Sequence, residues 1–188
     1  MRKKLNLNLI FKNLFFMYIY VAAFCFYPFV LGGYDVAANP KEIKVALMIK
    51  IANLLYWPEN QKSYFNVCIR KEPEIAYYFK NYSLNSEINR KRIKVYDNVD
   101  LANIDGCDLL FVAPSDEINI PQIIEKTKGK PICTIADTHG FAEKGIMVNF
   151  VRSETKVGFE INIDAVEKTG IKFSSHVLKK AQIVGTKQ

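Results

Sequence analysis

Four short apolar runs, at residues 65–70, 93–96, 107–112 and 131–136, recur along the chain with helical or polar connectors between them. Strands that read as continuous apolar runs are buried on both faces, so this alternation predicts a mainly parallel sheet flanked by helices, an α/β fold. The connectors agree. Residues 73–82 open with proline at a first-turn position, and residues 118–128 end before Gly129. Ahead of the first run, residues 41–56 carry Ile43, Leu47, Ile51, Leu54 and Leu55 at close to helical spacing, and Trp57-Pro58 stops the helix. That stripe is expected to cover the sheet.

The last third changes pattern. Residues 146–151 and 156–162 are strand-like and separated by four polar residues, which predicts a C-terminal antiparallel hairpin. With Val151 opposite Lys156, the residues Ile146, Val148, Phe150, Val157, Phe159 and Ile161 share one apolar face. Met147, Asn149, Gly158 and Glu160 share the other. Asp164 and Glu167 have capping-box spacing for a short helix to Gly170, and Ser174 or Ser175 caps a closing helix through His176, Leu178 and Ala181.

The N-terminus obeys different rules. Arg2, Lys3, Lys4 and Lys12 precede an uncharged run over residues 13–34 rich in Phe, Tyr, Leu and Val, with small residues at Ala37-Ala38. This predicts an export signal over residues 1–38, cleaved after Ala38, or else an uncleaved anchor, and one domain over residues 39–188. Both readings put that domain outside the cytoplasm. The formal charge is +7; the first 38 residues hold +3 of it, which leaves an excess too small to point to nucleic acid.

Three cysteines remain beyond the leader. Cys68 lies in the first strand and Cys107 at the start of the third, strands that are commonly adjacent in a doubly wound sheet, so a Cys68–Cys107 bridge is geometrically compatible. Three buried reduced thiols is the alternative. Cys133, mid-strand, reads as a small buried hydrophobe.

Groups that could do chemistry are few. The chain has no phosphate-binding glycine loop, no nucleophile elbow and no paired-cysteine motif, and His139 and His176 lack metal-ligand spacing, so neither a cofactor nor a metal is expected. Asp137-Thr138-His139-Gly140 follows the fourth strand at the carboxyl end of the sheet, where such folds bind ligands. A catalytic Asp137/His139 pair and a simple capped turn are the two readings. Glu160 lies mid-strand, where a carboxylate needs a partner or water, and Lys172 or Arg152 could supply the partner. With Phe141, these residues (Asp137, His139, Glu160 and Lys172) form the candidate ligand set. Arg90-Lys91-Arg92 with Lys94 is a basic run that reads as a solvated face or as a contact for an anion.

Taken together, several segments resemble the YfiR family of bacterial periplasmic regulators. They are Lys44-Val45-Ala46 through Tyr56-Trp57-Pro58, Asn66-Val67-Cys68-Ile69, Gly106-Cys107-Asp108-Leu109-Leu110-Phe111-Val112, Thr134-Ile135-Ala136-Asp137 with Gly140-Phe141, Gly145-Ile146-Met147-Val148-Asn149-Phe150, Phe159-Glu160-Ile161-Asn162 and Lys172-Phe173-Ser174-Ser175. The resemblance implies an exported, typically dimeric α/β domain without catalysis. Its implied partner is an inner-membrane diguanylate cyclase, held inactive through its periplasmic sensor domain; release raises cyclic di-GMP and promotes biofilm growth. The family's inter-strand bridge falls on Cys68 and Cys107 and implies a redox-sensitive repressor. A small-ligand sensor acting on another membrane receptor is the alternative. The chain departs from the family at Lys50 and at Lys144-Gly145, and lacks the second cysteine pair that some relatives carry near the hairpin.

Overall fold

A computed structural model describes residues 39–152 and 157–185. The expected leader and the hairpin turn at residues 153–156 lie outside them. Helix α1 (Pro40–Asn53) starts where Asn39 accepts a hydrogen bond from the Lys41 backbone N–H at 2.9 Å and Pro40 takes the first turn. It ends three residues before the expected point, because β1 (Leu55–Tyr56) is already extended. The Trp57 indole donates to the Ala52 carbonyl at 2.8 Å and fixes the exit.

The chain continues through β2 (Tyr64–Arg70), α2 (Pro73–Ser83), the hairpin β3 (Glu87–Ile88) and β4 (Lys91–Tyr96), a 3-10 turn (Leu101–Gly106) and β5 (Leu109–Val112). A second 3-10 turn (Pro114–Asn119) leads into α3 (Ile120–Thr127) and β6 (Cys133–Ala136). The final part comprises β7 (Val148–Arg152), β8 (Val157–Asn162), α4 (Ile163–Glu167), β9 (Lys172–Phe173), α5 (Ser175–Leu178) and β10 (Gln182–Val184).

Eight strands form one sheet in the order β10-β8-β7-β6-β5-β2-β4-β3, and β1 pairs with β9 in a small antiparallel sheet. Pairings from β4 through β2, β5 and β6 to β7 are parallel, as the apolar runs predict; β7–β8 and β3–β4 are antiparallel. Alternate residues feed two cores. Val67, Ile69, Leu109, Phe111 and Ile135 pack on the side of α1 and α2, and Cys68, Leu110, Val112 and Ala136 on the side of α3 and the first 3-10 turn.

Several local expectations are corrected. The buried residues of α1 are Val45, Met48, Ile49, Ile51 and Ala52, while Ile43 and Leu54 are exposed. That helix is apolar nearly all round, so spacing alone does not choose its buried face. In the hairpin, Val148 faces Ile161, Phe150 faces Phe159 and Val151 faces Gly158, two residues away from the expected register. A shift of two leaves every side chain on its face, so the apolar-face criterion cannot see it. Helix α4 is capped by Asn162, which accepts from the Ala165 N–H at 2.9 Å, not by Asp164. The closing helix ends at Leu178, and the chain returns as β10 beside β8.

Phe79 of α2 is fully buried against this sheet. Phe79→Ala is expected to lower the unfolding free energy by about 3–5 kcal/mol in a denaturant titration, because the pocket it leaves is walled by strands that cannot collapse.

Candidate functional site

The strand order turns back on itself between β2 and β5, since β4 lies on one side of β2 and β5 on the other. Open α/β sheets bind ligands at the carboxyl end of such a point. Here the chain fills it. Arg70, the last residue of β2, pairs in register with Val112, the last of β5. Its guanidinium forms a two-nitrogen ion pair with Asp116, through Nε to Oδ2 and through Nη2 to Oδ1 at 3.1 Å, and Nη1 donates to the Val99 carbonyl. Asn119 and Lys71 also donate to Asp116 Oδ1, at 2.6 and 3.1 Å. Burial works against the charged form of Asp116, but the hydrogen bonds from Arg70, Asn119 and Lys71 outweigh it and hold the carboxyl below its ordinary value.

On the same face of β2, Cys68 is disulfide-bonded to Cys107, with their Cα atoms 5.8 Å apart, and both are buried. Beside the bridge lies a cavity of about 630 Å³ lined by Asn66, Cys68, Tyr96, Asn98, Asn103 and Gly106, among others. Cys133 is a free thiol whose burial pushes its pKa up to about 12. It is a packing residue at neutral pH.

The ligand set read from sequence is partly assembled. Glu160 is buried and sits directly across from Asn149, whose side-chain amide donates to Glu160 Oε2 at 3.0 Å and whose oxygen accepts from the Thr138 N–H at 3.1 Å. This chain of bonds joins the turn after β6 to the hairpin. Asp137 is held by Lys44 of α1 through its Oδ2, while Asp137 Oδ1 and Thr138 Oγ1 are buried without a hydrogen-bond partner. His139 is exposed and lies outside this chain of bonds. Phe141 is fully buried in the core beside α3, and Lys172 is exposed on β9, in register with Tyr56. Among the described side chains the partner of Glu160 is Asn149 and not Lys172; the side chain of Arg152, the other expected partner, lies outside them.

Sequence reasoning missed Lys44, Arg70 and Asp116. A charged residue closing an apolar strand, and an acid two residues after a proline behind the next strand, were the available signals. Among the described residues, no helix is long and apolar enough to cross a membrane, and no group of three or more His, Cys, Asp or Glu side chains is placed to hold a metal.

Residues 41–182 match a family described as YfiR/HmsC-like. Among solved structures, the chain is similar to the ABC domain in complex with L-Trp from Streptococcus pneumonia, with TM-score 0.52 and 11% identity over 78% of this chain and 61% of that one. It is likewise similar to a conserved domain protein from Vibrio cholerae O1 biovar El Tor, with TM-score 0.52 and 13% identity over 77% and 60% of the two chains. At such identities the likeness is one of fold, and the chain spans about three fifths of the length of each of those proteins.

The buried ion pair and the bridge can each be tested by substitution. Arg70→Ala leaves Asp116 buried and short of its main partner, and should cost about 3–5 kcal/mol, whereas Arg70→Met with Asp116→Leu should be close to neutral. Because the Asp116 pKa is depressed on folding, the unfolded state binds more protons near the ordinary carboxylate pKa. The pair's contribution is thus present above about pH 4 and lost as pH falls through the depressed folded value. Asp116→Asn should flatten that part of a stability-versus-pH curve. Cys68→Ser should lower stability by about 4 kcal/mol on the chain-entropy account of a loop of this length. Cys133 should react with a thiol reagent only after unfolding.

Proposed function

The chain belongs to the YfiR/HmsC-like family, and on that premise we propose that it is an exported regulator that binds the periplasmic part of an inner-membrane diguanylate cyclase and holds it inactive. The leader over residues 1–38 delivers residues 39–188 to the periplasm, where the domain works by contact and not by turnover. Family membership over residues 41–182 carries this reading. The Arg70–Asp116 pair supports it, because the crevice in which a sheet of this topology would hold a substrate is taken up by the protein's own carboxylate.

The buried Cys68–Cys107 bridge makes the regulator sensitive to the redox state of the envelope. Reduction frees β2 from the segment before β5 and weakens the surface that occupies the receptor. A second copy covers apolar surface on α1, where Ile43 and Leu54 are exposed. The alternative, a small-ligand sensor at Asp137, His139, Phe141, Glu160 and Lys172, draws support from the unpartnered Asp137 Oδ1 and Thr138 Oγ1 atoms.

Periplasmic crosslinking with the full chain as bait, followed by mass spectrometry, should recover a diguanylate cyclase, and deleting the chain should raise cellular cyclic di-GMP several-fold. Recovery of a different receptor, with cyclic di-GMP unchanged, sinks the cyclase reading. A metabolite that raises the melting temperature of wild type but not of Glu160→Ala would favour the sensor.

A further inference from the structure

Parallel strands in a layered fold are normally covered on both faces, and β4 is covered on one. Ile93 and Val95 pack into the core beneath α1 and α2, whereas Arg92, Lys94 and Tyr96 on the opposite face are exposed. The cause is the connection after β4. Its 3-10 turn packs Ile104 beside Cys68 and Cys107, and no helix follows to cover β4. Register extends the bare face to the start of β2, where exposed Tyr64 lies beside Arg92; Asn66, beside Lys94, is half-buried and donates to the Gly106 carbonyl at 2.9 Å.

The chemistry of this face is uniform. The Arg92 guanidinium sits 6.0 Å from the Tyr64 ring centre and the Lys94 ammonium 5.1 Å from that of Tyr96. Both rings are well exposed, at 43% and 38%. Among the described residues neither cation forms an ion pair, although Glu87 lies across from Arg92 on β3. The hairpin tip adds a third cation: Asn89 and Arg90 adopt φ of +51° and +59°, a turn whose second position is usually glycine. Asn53 of α1 holds that strained tip, accepting from the Asn89 N–H at 3.1 Å and donating to the Glu87 carbonyl at 2.8 Å. An exposed arginine thus occupies a strained left-handed position two residues before Arg92.

Tyrosine and arginine dominate binding hot spots, and cations resting on aromatic rings on a rigid strand lose little freedom when they are engaged. We propose that the β2–β4 face is the surface through which the chain engages its receptor, and that it meets an acidic patch on that protein. This rests on the regulator reading and names the side of the domain that does the work. The cavity beside the disulfide opens at the end of the same face and shares Asn66 and Tyr96 with it. Among the described residues its exposed Asn98 and Asn103 side chains form no hydrogen bond, which leaves their amides available to a polar group of the partner.

The test compares the full chain, Arg92→Glu/Lys94→Glu and the conservative Arg92→Lys/Lys94→Arg in the periplasmic capture, with melting temperature and disulfide content checked for each. The charge-reversed form should recover the cyclase at least tenfold less than wild type with its melting temperature unchanged, and the conservative form should recover it within about twofold. Raising salt during capture should weaken wild type and leave the reversed form unaffected. Equal recovery by wild type and the reversed form overturns this face and leaves the regulator reading standing. No cyclase recovered by any form overturns both. Salt-sensitive binding of wild type to phosphatidylglycerol vesicles, lost in the reversed form while cyclase capture persists, overturns the proposal by assigning the face to lipid.

Discussion

Three alternate residues of β2, all on one face, each tie the strand to the chain between residues 99 and 116. The Asn66 backbone N–H donates to the Asp108 carboxylate at 2.7 Å, Cys68 is bonded to Cys107, and Arg70 grips Asp116 and the Val99 carbonyl. Strand β2 is central and parallel to both neighbours, so whatever fixes it fixes the order of the sheet. In most doubly wound domains a helix would cover this face by burying apolar side chains. Here a backbone bond, a covalent bridge and a charged pair do that task, over a connection whose only helical part is the 3-10 turn Leu101–Gly106.

That substitution explains why some of the molecule was legible and some was not. The interior strands announced themselves because Val67, Ile69, Leu109, Phe111 and Ile135 must face one core and Cys68, Leu110 and Val112 the other, which leaves no room for polar alternation. The faces of the hairpin were legible for the same reason, and Asn149 was correctly set on the face of Glu160. Its register was not, since a slip by two preserves polarity. Strands of two or three residues, such as β1, β9 and β10, carry too little pattern to be read. The Arg70–Asp116 pair depends on contacts 46 residues apart, which only the assembled sheet creates.

A consistent functional picture follows from where polarity is buried and where it is displayed. The polar groups at the carboxyl end of the sheet are largely consumed internally, Arg70 by Asp116, Asp137 by Lys44 and Glu160 by Asn149. On the bare face of β4, by contrast, cations rest against exposed tyrosine rings.

The lone thiol has a consequence for how the chain reaches this state. Cys133 stands next to Leu109 across the β5–β6 pairing, two residues along from Cys107, so the three described cysteines lie in or beside neighbouring strands. Three thiols allow three pairings, and two of them would trap Cys133 in a cross-link the native core has no place for. Once β6 is packed, its burial withdraws Cys133 from exchange and leaves Cys68 and Cys107 as the pair that can close. The buried third cysteine thus ties the chemistry of the bridge to the packing of β6.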